Sequence, residues 1–466
     1  MEKPNVIIFV IDSFRADMCY GKNKKSITNT IDSLIQRGAY FTQAITSCYA
    51  SIPATASLLT GKYPLKIMTV GDKGSFKLSS KVTTFIDKFV ENKYHAYALM
   101  PEFFSLMGLT KYFQHGVVTY KEETLASELS NEISKFLETM EKPWILYIHL
   151  MELHDFSPPP DEFNDDKYGK NQYEKLVSGM DFALEKVTKK IDYENTLLVL
   201  TADHGSDRPS YTPEIEKIVN ELNSYNPRIT YSLIEKIVNF SPKFLLPIKD
   251  KKLLTRALKK KFYNRKRDSE LNKIKKSQLS VFEKRIFSNA INPVYNLYDE
   301  KFRIPLILAG YGINNHRIIN QQVRGIDIFP TIADILNIRD FHEIIQGRSL
   351  YPLIKGENVN EVPAQIDSCA NWSTLNTTDT LGIRTSKFKY FRHKNNPKKN
   401  VELFDLQNDP KEEKNIAAEK LDIVTQMEEL ISKVQGTDSN RIDQEEKISN
   451  ENTKQIEDEL KRLGYL

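Results

Sequence analysis

Four side chains that could carry out hydrolysis occur at three separated places in the chain. Asp12 follows an apolar N-terminal stretch, Ser51 lies two residues before a proline, and Asp203 and His204 follow another apolar stretch. Two carboxylates and an imidazole suit a divalent cation of intermediate hardness, and a serine hydroxyl could complete the ligand set. Beside a metal ion that hydroxyl is also a competent nucleophile. These residues predict a metal-dependent hydrolase.

The sequence after Ser51 also predicts a place for an anion. Pro53 favours the start of a helix and Gly61 its end, so we expect a helix over residues 54–60 with Ser51 just ahead of it. The unpaired amides at a helix start attract sulfuryl or phosphoryl oxygens. Ser51 could also serve as an N-cap, which is compatible with a role as nucleophile.

The segments between these residues predict how the chain brings them together. Strands are expected at residues 6–10, 144–150, 196–201 and 304–308, and helices at residues 28–37, 54–60, 125–140 and 173–187. This alternation predicts an α/β fold with a doubly wound, mainly parallel sheet and helices on both faces. In such sheets ligands bind beyond the carboxyl ends of the strands, where Asp12 and Asp203 fall.

Composition and pattern divide the chain into three predicted parts. Residues 1–350 form a catalytic domain with a Lys-rich helical insertion at about residues 207–292. Shorter strand-like segments then predict a small C-terminal α+β subdomain with an antiparallel sheet over residues 351–435. Residues 436–466 are predicted to be a charged linker and a terminal helix.

The bulk composition narrows the partners and the compartment. A chain with 40% hydrophobic residues, 27% charged residues and a net charge of +4 is an ordinary globular protein for which we expect no nucleic-acid partner. Its three scattered cysteines, Cys19, Cys48 and Cys369, predict neither disulfides nor a zinc finger. We find neither a signal peptide nor a membrane-spanning segment, and therefore expect a cytoplasmic location. The basic insertion leaves contact with a membrane surface as an alternative.

Several separated motifs, in the expected order, resemble the sulfatase family of the alkaline phosphatase superfamily. They are the strand leading to Asp12, the block from Ser51 to Gly61, Thr201-Ala202-Asp203-His204-Gly205, Leu297-Tyr298-Asp299-Glu300, Asp327-Ile328-Phe329-Pro330-Thr331, Gly347-Arg348-Ser349-Leu350 and Glu402-Leu403-Phe404-Asp405-Leu406. The resemblance implies an alkaline-phosphatase-like fold. It also implies metal ligation by Asp12, Asp203 and His204, with Ser51 as both nucleophile and ligand, and His154 as a residue that contacts the transferred group or protonates the leaving oxygen.

These residues imply a cofactor and a substrate class. We expect one divalent metal ion, calcium or manganese in the first place and magnesium or zinc as alternatives, and a small-molecule or glycan sulfate or phosphate ester. Arg15 and Lys62 are candidate substrate-binding residues, although Arg15 could instead pair with Asp17 and Lys62 could complement a helix dipole. His154 could equally be a structural loop residue. We interpret His149, inside a predicted buried strand, as a hydrogen-bonded core residue or one that lies behind the metal ligands.

Departures from the family pattern leave the reaction open. Members that convert a cysteine or serine into formylglycine carry the motif C/S-x-P-x-R, whereas Thr55 stands at the arginine position here. Ser13 replaces a frequent second aspartate, and a Gly-Lys-Trp-His block is not recognisable. We expect sulfate-ester hydrolysis through residue 51. The alternatives are hydrolysis of phosphate mono- or diesters or phosphotransfer by unmodified Ser51, and a non-catalytic scaffold with a basic docking insertion.

Overall fold

The computed structural model describes residues 2–21, 24–64, 67–70, 76–79, 81–121, 123–154, 159–206, 268–291 except 270, 273, 275 and 277, 296–338, 345–368 and 380–436. The chain forms two compact units, one of Met1–Ser206 with Tyr295–Leu466 and one of Asp207–Val294. Most of the basic insertion, the linker and terminal helix predicted after residue 436, and Cys369 lie outside the described residues. Within the described ranges, no helix is both long and apolar enough to cross a lipid bilayer.

The strands and helices are numbered in chain order. The strands are β1 (Asn5–Ile11), β2 (Gly38–Phe41), β3 (Ala44–Ile45), β4 (Met68–Val70), β5 (Phe76–Leu78), β6 (His95–Pro101), β7 (Gly116–Tyr120), β8 (Trp144–Leu150), β9 (Thr196–Thr201), β10 (Arg303–Ile304), β11 (Leu306–Gly310), β12 (Arg317–Ile319), β13 (Val323–Arg324), β14 (Ala364–Asp367), β15 (Thr380–Arg384), β16 (Phe388–His393) and β17 (Glu402–Asp405). The helices are α1 (Ala16–Cys19), α2 (Asn29–Arg37), α3 (Ser51–Thr60), α4 (Phe85–Glu91), α5 (Phe103–Leu106), α6 (Ser130–Thr139), α7 (Gln172–Thr188), α8 (Val281–Ile291), α9 (Asp299–Phe302), α10 (Ile328–Ile335), α11 (Tyr351–Lys355) and α12 (Leu421–Gly436).

A large sheet runs through the first unit in the order β12-β2-β11-β9-β1-β8-β6-β7. Strand β1 lies between β8 and β9 and is parallel to both, with Val6 opposite Ile145 on one side and Leu197 on the other. Strand β11 runs antiparallel to its neighbours β9 and β2. All seven residues of β1 are buried, as expected for a β-branched, apolar strand that is covered on both faces. The predicted α/β fold with a mainly parallel sheet is confirmed.

The observed boundaries differ from the prediction where local pattern is weakest. Helix α3 begins at Ser51 rather than at residue 54, because every residue of α3 is buried and no amphipathic pattern marks its start. Pro53 is tolerated because amides in the first helical turn have no partner within the helix. The predicted strand 304–308 is divided by Pro305 into β10 and β11. The predicted helix 125–140 is a π-helical turn, Leu125–Leu129, followed by α6.

A second, antiparallel sheet has the order β14-β15-β16-β17 and includes the predicted C-terminal strands. Strands β15 and β16 form a hairpin in which Gly382 lies opposite Phe391. One face of this sheet packs against α12 through apolar side chains, among them Leu381, Ile383, Tyr390, Leu403, Met427 and Ile431.

Buried charges connect this sheet to α9. Lys389 on β16 is unexposed, and its Nζ atom lies 2.5 Å from Asp299 Oδ1 and 2.8 Å from Glu412 Oε1. Arg384 binds both oxygens of Asp299, at 3.0 and 2.8 Å. Burial disfavours the Asp299 carboxylate, but Arg384 and Lys389 outweigh it and hold the pKa of Asp299 below its usual value. These ion pairs fix the start of α9, the segment that also carries Glu300 and Lys301.

Replacing Lys389 with methionine should therefore destabilise the protein strongly. Lys389→Met keeps the volume but removes the cation that two buried carboxylates, Asp299 and Glu412, share, and we expect a loss of about 3 to 5 kcal/mol in the free energy of unfolding. Lys387→Met, two residues away on an exposed side chain, is the matched control and should change stability by less than about 0.5 kcal/mol. Urea unfolding followed by circular dichroism measures both. Equal effects of the two substitutions would contradict this role of Lys389.

Candidate active site

The first part of the site is the turn at the carboxyl end of β1. Asp12 is unexposed, and its amide donates to the Leu150 carbonyl at 2.8 Å, which continues the pairing with β8. Ser13 has a φ of 62°, a conformation that is uncommon for a residue with a side chain. That conformation directs its amide to Asp203 Oδ1 at 3.3 Å, while its hydroxyl donates to Asp12 Oδ1 at 2.7 Å. Ser13 thus donates hydrogen bonds to both carboxylates.

Ser51 is the first residue of α3 and faces this turn. Its hydroxyl donates to Asp12 Oδ2 at 2.8 Å, and its Oγ atom lies 3.2 Å from His204 Nε2. The preceding residue, Ala50, is extended and occupies the N-cap position, so the structure does not assign Ser51 the N-cap role that the sequence left open. The first turn of α3 is therefore next to the Ser51 hydroxyl, and the positive end of the helix dipole there favours a tetrahedral anion.

Asp203 and His204 follow β9, the strand next to β1. Asp203 Oδ1 accepts the His204 amide at 2.7 Å. His204 Nδ1 lies 2.8 Å from the carbonyl oxygen of Gly205, and since a carbonyl only accepts, Nδ1 carries a proton. In a neutral His204 the Nε2 atom therefore carries a lone pair. That lone pair faces the space between Ser51 and Asp203, and Nε2 lies 3.6 Å from Asp203 Oδ2.

Close approach of two backbone segments places Lys301 beside these residues. The Gly205 amide donates to the Lys301 carbonyl at 2.8 Å, and a Cβ atom at position 205 would lie only 2.3 Å from the Glu300 carbonyl oxygen. The Lys301 side chain is buried, with Nζ 4.8 Å from the centre of the Tyr49 ring, and that ring lies 4.8 Å from the His204 ring. Sequence analysis did not select Lys301, whose only distinguishing feature there is its place directly after Leu297-Tyr298-Asp299-Glu300.

His149 is another residue whose position the sequence did not reveal. It is unexposed on β8, and its Nε2 atom lies 3.6 Å from Asp12 Oδ2 and 4.0 Å from Asp203 Oδ2. Among the described residues, neither His149 Nε2 nor Asp203 Oδ2 has a hydrogen-bond partner. His149 is thus buried as we interpreted it, and its Nε2 atom faces the two carboxylates. The sequence feature that could have indicated this position is the place of His149 near the end of the predicted strand 144–150.

The five residues Asp12, Ser51, His149, Asp203 and His204 form what we call the carboxylate cluster. Burial raises the pKa of Asp203, and the neighbouring Asp12 charge raises it further. Burial also disfavours the ionised form of Asp12, but the nearby histidines, His154 foremost, outweigh it and keep the pKa of Asp12 well below its usual value. Two adjacent buried carboxylates cannot both ionise at low cost without a cation.

The carboxylate cluster fits a divalent metal ion. One oxygen each from Asp12 and Asp203 and a nitrogen of His149 lie within 4.8 Å of one another, and all three residues are buried. Two of the atoms in this space, His149 Nε2 and Asp203 Oδ2, are among the buried polar atoms for which the described part of the chain offers no hydrogen-bond partner. Buried polar atoms without a hydrogen bond are rare unless an ion or water binds them.

The other residues that the sequence selected lie in different surroundings. His154 is buried in the turn after β8, and its charge lowers the pKa of Asp12, so it belongs to the same region. Arg15 binds Asp17 through Nε and Nη2, at 2.8 and 2.6 Å, and donates to the Ser206 carbonyl at 3.2 Å, as expected of a structural ion pair. Lys62 follows the opposite end of α3, roughly 15 Å from Ser51 along the helix, so the structure does not bring it to the carboxylate cluster.

Comparison with known families agrees with this arrangement. A family model described as Sulfatase matches residues 4–338. The chain belongs to the sulfatase family. A second model, described as N-sulphoglucosamine sulphohydrolase, C-terminal, matches residues 294–437, which contain the antiparallel sheet. The resemblance that the motifs indicated is thus confirmed.

Curated sulfatases are similar to this chain over part of their length. Arylsulfatase K of Gallus gallus is 26% identical over 145 residues, which are 30% of this chain and 27% of that protein. The Ulvan-active sulfatase of Formosa agariphila is 27% identical over 235 residues, which are 44% of this chain and 45% of that protein. The matched stretch therefore spans about a quarter to a half of the length of these relatives.

Solved structures share the fold across the chain. A 2-O GAG sulfatase has a TM-score of 0.63 at 17% identity and covers 94% of this chain and 92% of its own. The structure of Ps i-CgsB in complex with k-i-k-neocarrahexaose has a TM-score of 0.60 at 17% identity and covers both chains completely. The phosphonate monoester hydrolase of Agrobacterium radiobacter has a TM-score of 0.62 at 14% identity and covers 93% of this chain and 96% of its own. At these identities the likeness shows the fold alone.

The packing of Gly205 against α9 can be tested directly. In Gly205→Ala the new methyl group meets the Glu300 carbonyl, so we expect a loss of about 1 to 3 kcal/mol in stability and displacement of Asp203 and His204. Gly325→Ala is the matched control, because a Cβ atom there would have its nearest neighbour at 3.7 Å. Thermal unfolding of both variants is the measurement, and equal melting temperatures would contradict the close contact.

Proposed function

We propose that this protein hydrolyses sulfate esters at the carboxylate cluster, with residue 51 as the nucleophile. The observation that carries the proposal is the position of Ser51 Oγ, 2.8 Å from Asp12 Oδ2 and 3.2 Å from His204 Nε2 at the start of a helix. Membership in the sulfatase family and relatives that are named as sulfatases support the same reaction.

The carboxylate cluster and the nearby His154 supply the proton transfers that the reaction needs. Ser51 Oγ bonds to sulfur as its proton passes to a neighbouring acceptor, and the bond between sulfur and the substrate alcohol breaks. His154 donates the proton that the leaving alcohol oxygen takes up. Water then cleaves the sulfated residue 51, which releases sulfate and restores the hydroxyl. The net reaction consumes one water and yields an alcohol and hydrogen sulfate.

Asp12, Asp203, His204 and Ser51 would hold the divalent metal ion of this proposal. When bound, the metal would lower the pKa of the Ser51 hydroxyl and withdraw charge from the sulfate oxygens. The protein side chains orient the nucleophile whether or not the ion is present, because Asp12 accepts the Ser51 hydroxyl directly. Asp12 thus positions the nucleophile within the same cluster.

Two features of the protein would bind the sulfate group itself. The N-terminal end of α3 lies beside Ser51, and Lys301 brings a positive charge next to Tyr49, whose ring lies 4.8 Å from the His204 ring. Both favour a tetrahedral anion over a neutral ester. Since relatives and structural neighbours carry the names Ulvan-active sulfatase and 2-O GAG sulfatase, we propose a sulfated glycan as the substrate.

Phosphorus chemistry is a second candidate function, because Thr55 occupies the arginine position of the formylglycine motif and is buried in α3. A plain serine is sufficient for attack on phosphorus, since water can release the phosphoseryl intermediate. A sulfated plain serine is harder to discharge. The intact mass of the peptide that contains Ser51 separates the two, because formylglycine is lighter than serine by two hydrogens. An unmodified Ser51 with turnover of phosphate esters but not sulfate esters would overturn the sulfatase proposal.

Removing the Ser51 hydroxyl should abolish turnover. We expect Ser51→Ala to lower kcat for a chromogenic sulfate ester by at least about 1000-fold, because the covalent step is lost. Ser57→Ala is the matched control in the same helix, since the Ser57 hydroxyl is buried and has no hydrogen-bond partner among the described residues. Unchanged turnover in Ser51→Ala would exclude residue 51 as the nucleophile. Absence of turnover in the parent, with no bound metal, would favour the scaffold alternative.

Lys301 should matter for binding the anion, whereas Lys62 should not. We expect Lys301→Met to lower kcat/KM by about 10- to 100-fold, because one charge near the sulfate is removed. Lys62→Met should leave kcat/KM within about twofold, because Lys62 lies at the far end of α3. Steady-state kinetics on both variants decide the matter. A larger loss for Lys62→Met than for Lys301→Met would contradict this assignment.

A further inference from the structure

We propose that His149, held by Tyr147, is itself a ligand of the metal in the carboxylate cluster, and that the site consequently takes a transition-metal cation in preference to calcium. This inference rests on the proposed metal-dependent function and adds a residue and a class of metal to it. It starts from the geometry around β8.

His149 is held by a contact with its ring and by a hydrogen bond to its backbone. The Phe104 ring packs on it with ring centres 4.6 Å apart, and the Tyr120 hydroxyl donates to the His149 carbonyl at 2.6 Å. The residue is opposite Val10 in the parallel pairing with β1, two positions before Asp12. Its Nε2 atom therefore has one orientation, toward the gap between Asp12 and Asp203.

Tyr147 supplies the partner for the other ring nitrogen of His149. Tyr147 is unexposed two residues earlier on β8, and its hydroxyl lies 3.3 Å from His149 Nδ1. When the phenol oxygen accepts the proton on Nδ1, the Nε2 atom of His149 presents a lone pair to the cluster. A ligand histidine commonly has its second nitrogen bound to an oxygen in this manner.

His204 shows the same arrangement from the opposite direction. Its Nδ1 donates to the Gly205 carbonyl at 2.8 Å, and its Nε2 lies 3.6 Å from Asp203 Oδ2. Each imidazole thus has its outer nitrogen bound to an oxygen and its inner nitrogen directed at the same carboxylates. The cluster offers two imidazole nitrogens together with oxygens from Asp12, Asp203 and Ser51.

This mixture of donors determines the class of metal. Calcium takes six to eight oxygen ligands and magnesium likewise prefers oxygen, whereas imidazole nitrogen suits zinc, copper, iron and nickel. Manganese prefers oxygen and binds a mixed nitrogen and oxygen site more weakly than these metals. Two nitrogens among a small number of buried donors therefore favour a transition-metal cation. The competing arrangement is a protonated His149 that pairs with Asp12 and Asp203 and takes the place of the metal.

Metal titration of the full-length, metal-free protein tests the inference. By isothermal titration calorimetry we expect Mn²⁺ and Zn²⁺ to bind at least about 10-fold more tightly than Ca²⁺. Tyr147→Phe should weaken Mn²⁺ binding by about 10- to 100-fold, and His149→Ala should weaken it at least as much. Tyr112→Phe is the control, since Tyr112 is also buried and its hydroxyl donates to the Val82 carbonyl at 3.3 Å.

The outcomes separate this inference from the proposed function. Calcium binding as tight as manganese binding, or unchanged Mn²⁺ affinity in both Tyr147→Phe and His149→Ala, overturns it even if sulfate esters are turned over. If His149→Ala does not fold, the visible absorption spectrum of Co²⁺ bound to Tyr147→Phe is measured in its place. A spectrum identical to that of the Co²⁺-bound parent then also overturns the inference. Tight Mn²⁺ binding without turnover of any ester would instead leave the ligand role intact and reject the proposed hydrolysis.

Discussion

The structure depends on the placement of two carboxylates, Asp12 and Asp203, without exposure to water and close to one another. Adjacent parallel strands, β1 and β9, bring them to the same edge of the sheet. Burial and mutual repulsion oppose ionisation of both, which the raised pKa of Asp203 reflects. Under the proposed function a divalent cation would offset this cost, and Ser51, His149 and His204 surround the space that it would occupy.

The surrounding elements maintain this placement through specific contacts. The left-handed turn at Ser13 connects both carboxylates, and Gly205 allows the segment after β9 to pack backbone to backbone on α9. Buried ion pairs between Asp299 and the C-terminal sheet hold α9 itself. The antiparallel sheet therefore affects the chemistry indirectly, because it determines where Lys301 lies relative to His204.

The sequence allowed the α/β fold and the gathering of Asp12, Ser51, Asp203 and His204 to be predicted, because polar residues at the ends of apolar strands are a local pattern. His149 and Lys301 could not be predicted, since their positions depend on the register between β8 and β1 and on a contact between distant loops. The spacing of apolar residues likewise does not reveal that β11 runs antiparallel to its neighbours in the sheet. The place of Lys62 beyond the end of α3 opposite to Ser51 likewise follows from the length of that helix and not from its charge.

The dependence of stability on a cation tests the central claim most directly. Thermal unfolding of the parent and of Asp203→Asn should be compared in a chelator and with saturating Mn²⁺. With Mn²⁺ at about 100 times its dissociation constant, the parent should gain roughly 2.7 kcal/mol, whereas Asp203→Asn should gain far less. In the chelator the variant should melt at or above the parent, since repulsion is relieved. A parent that does not respond to Mn²⁺, together with a variant that melts well below it in the chelator, would contradict the account.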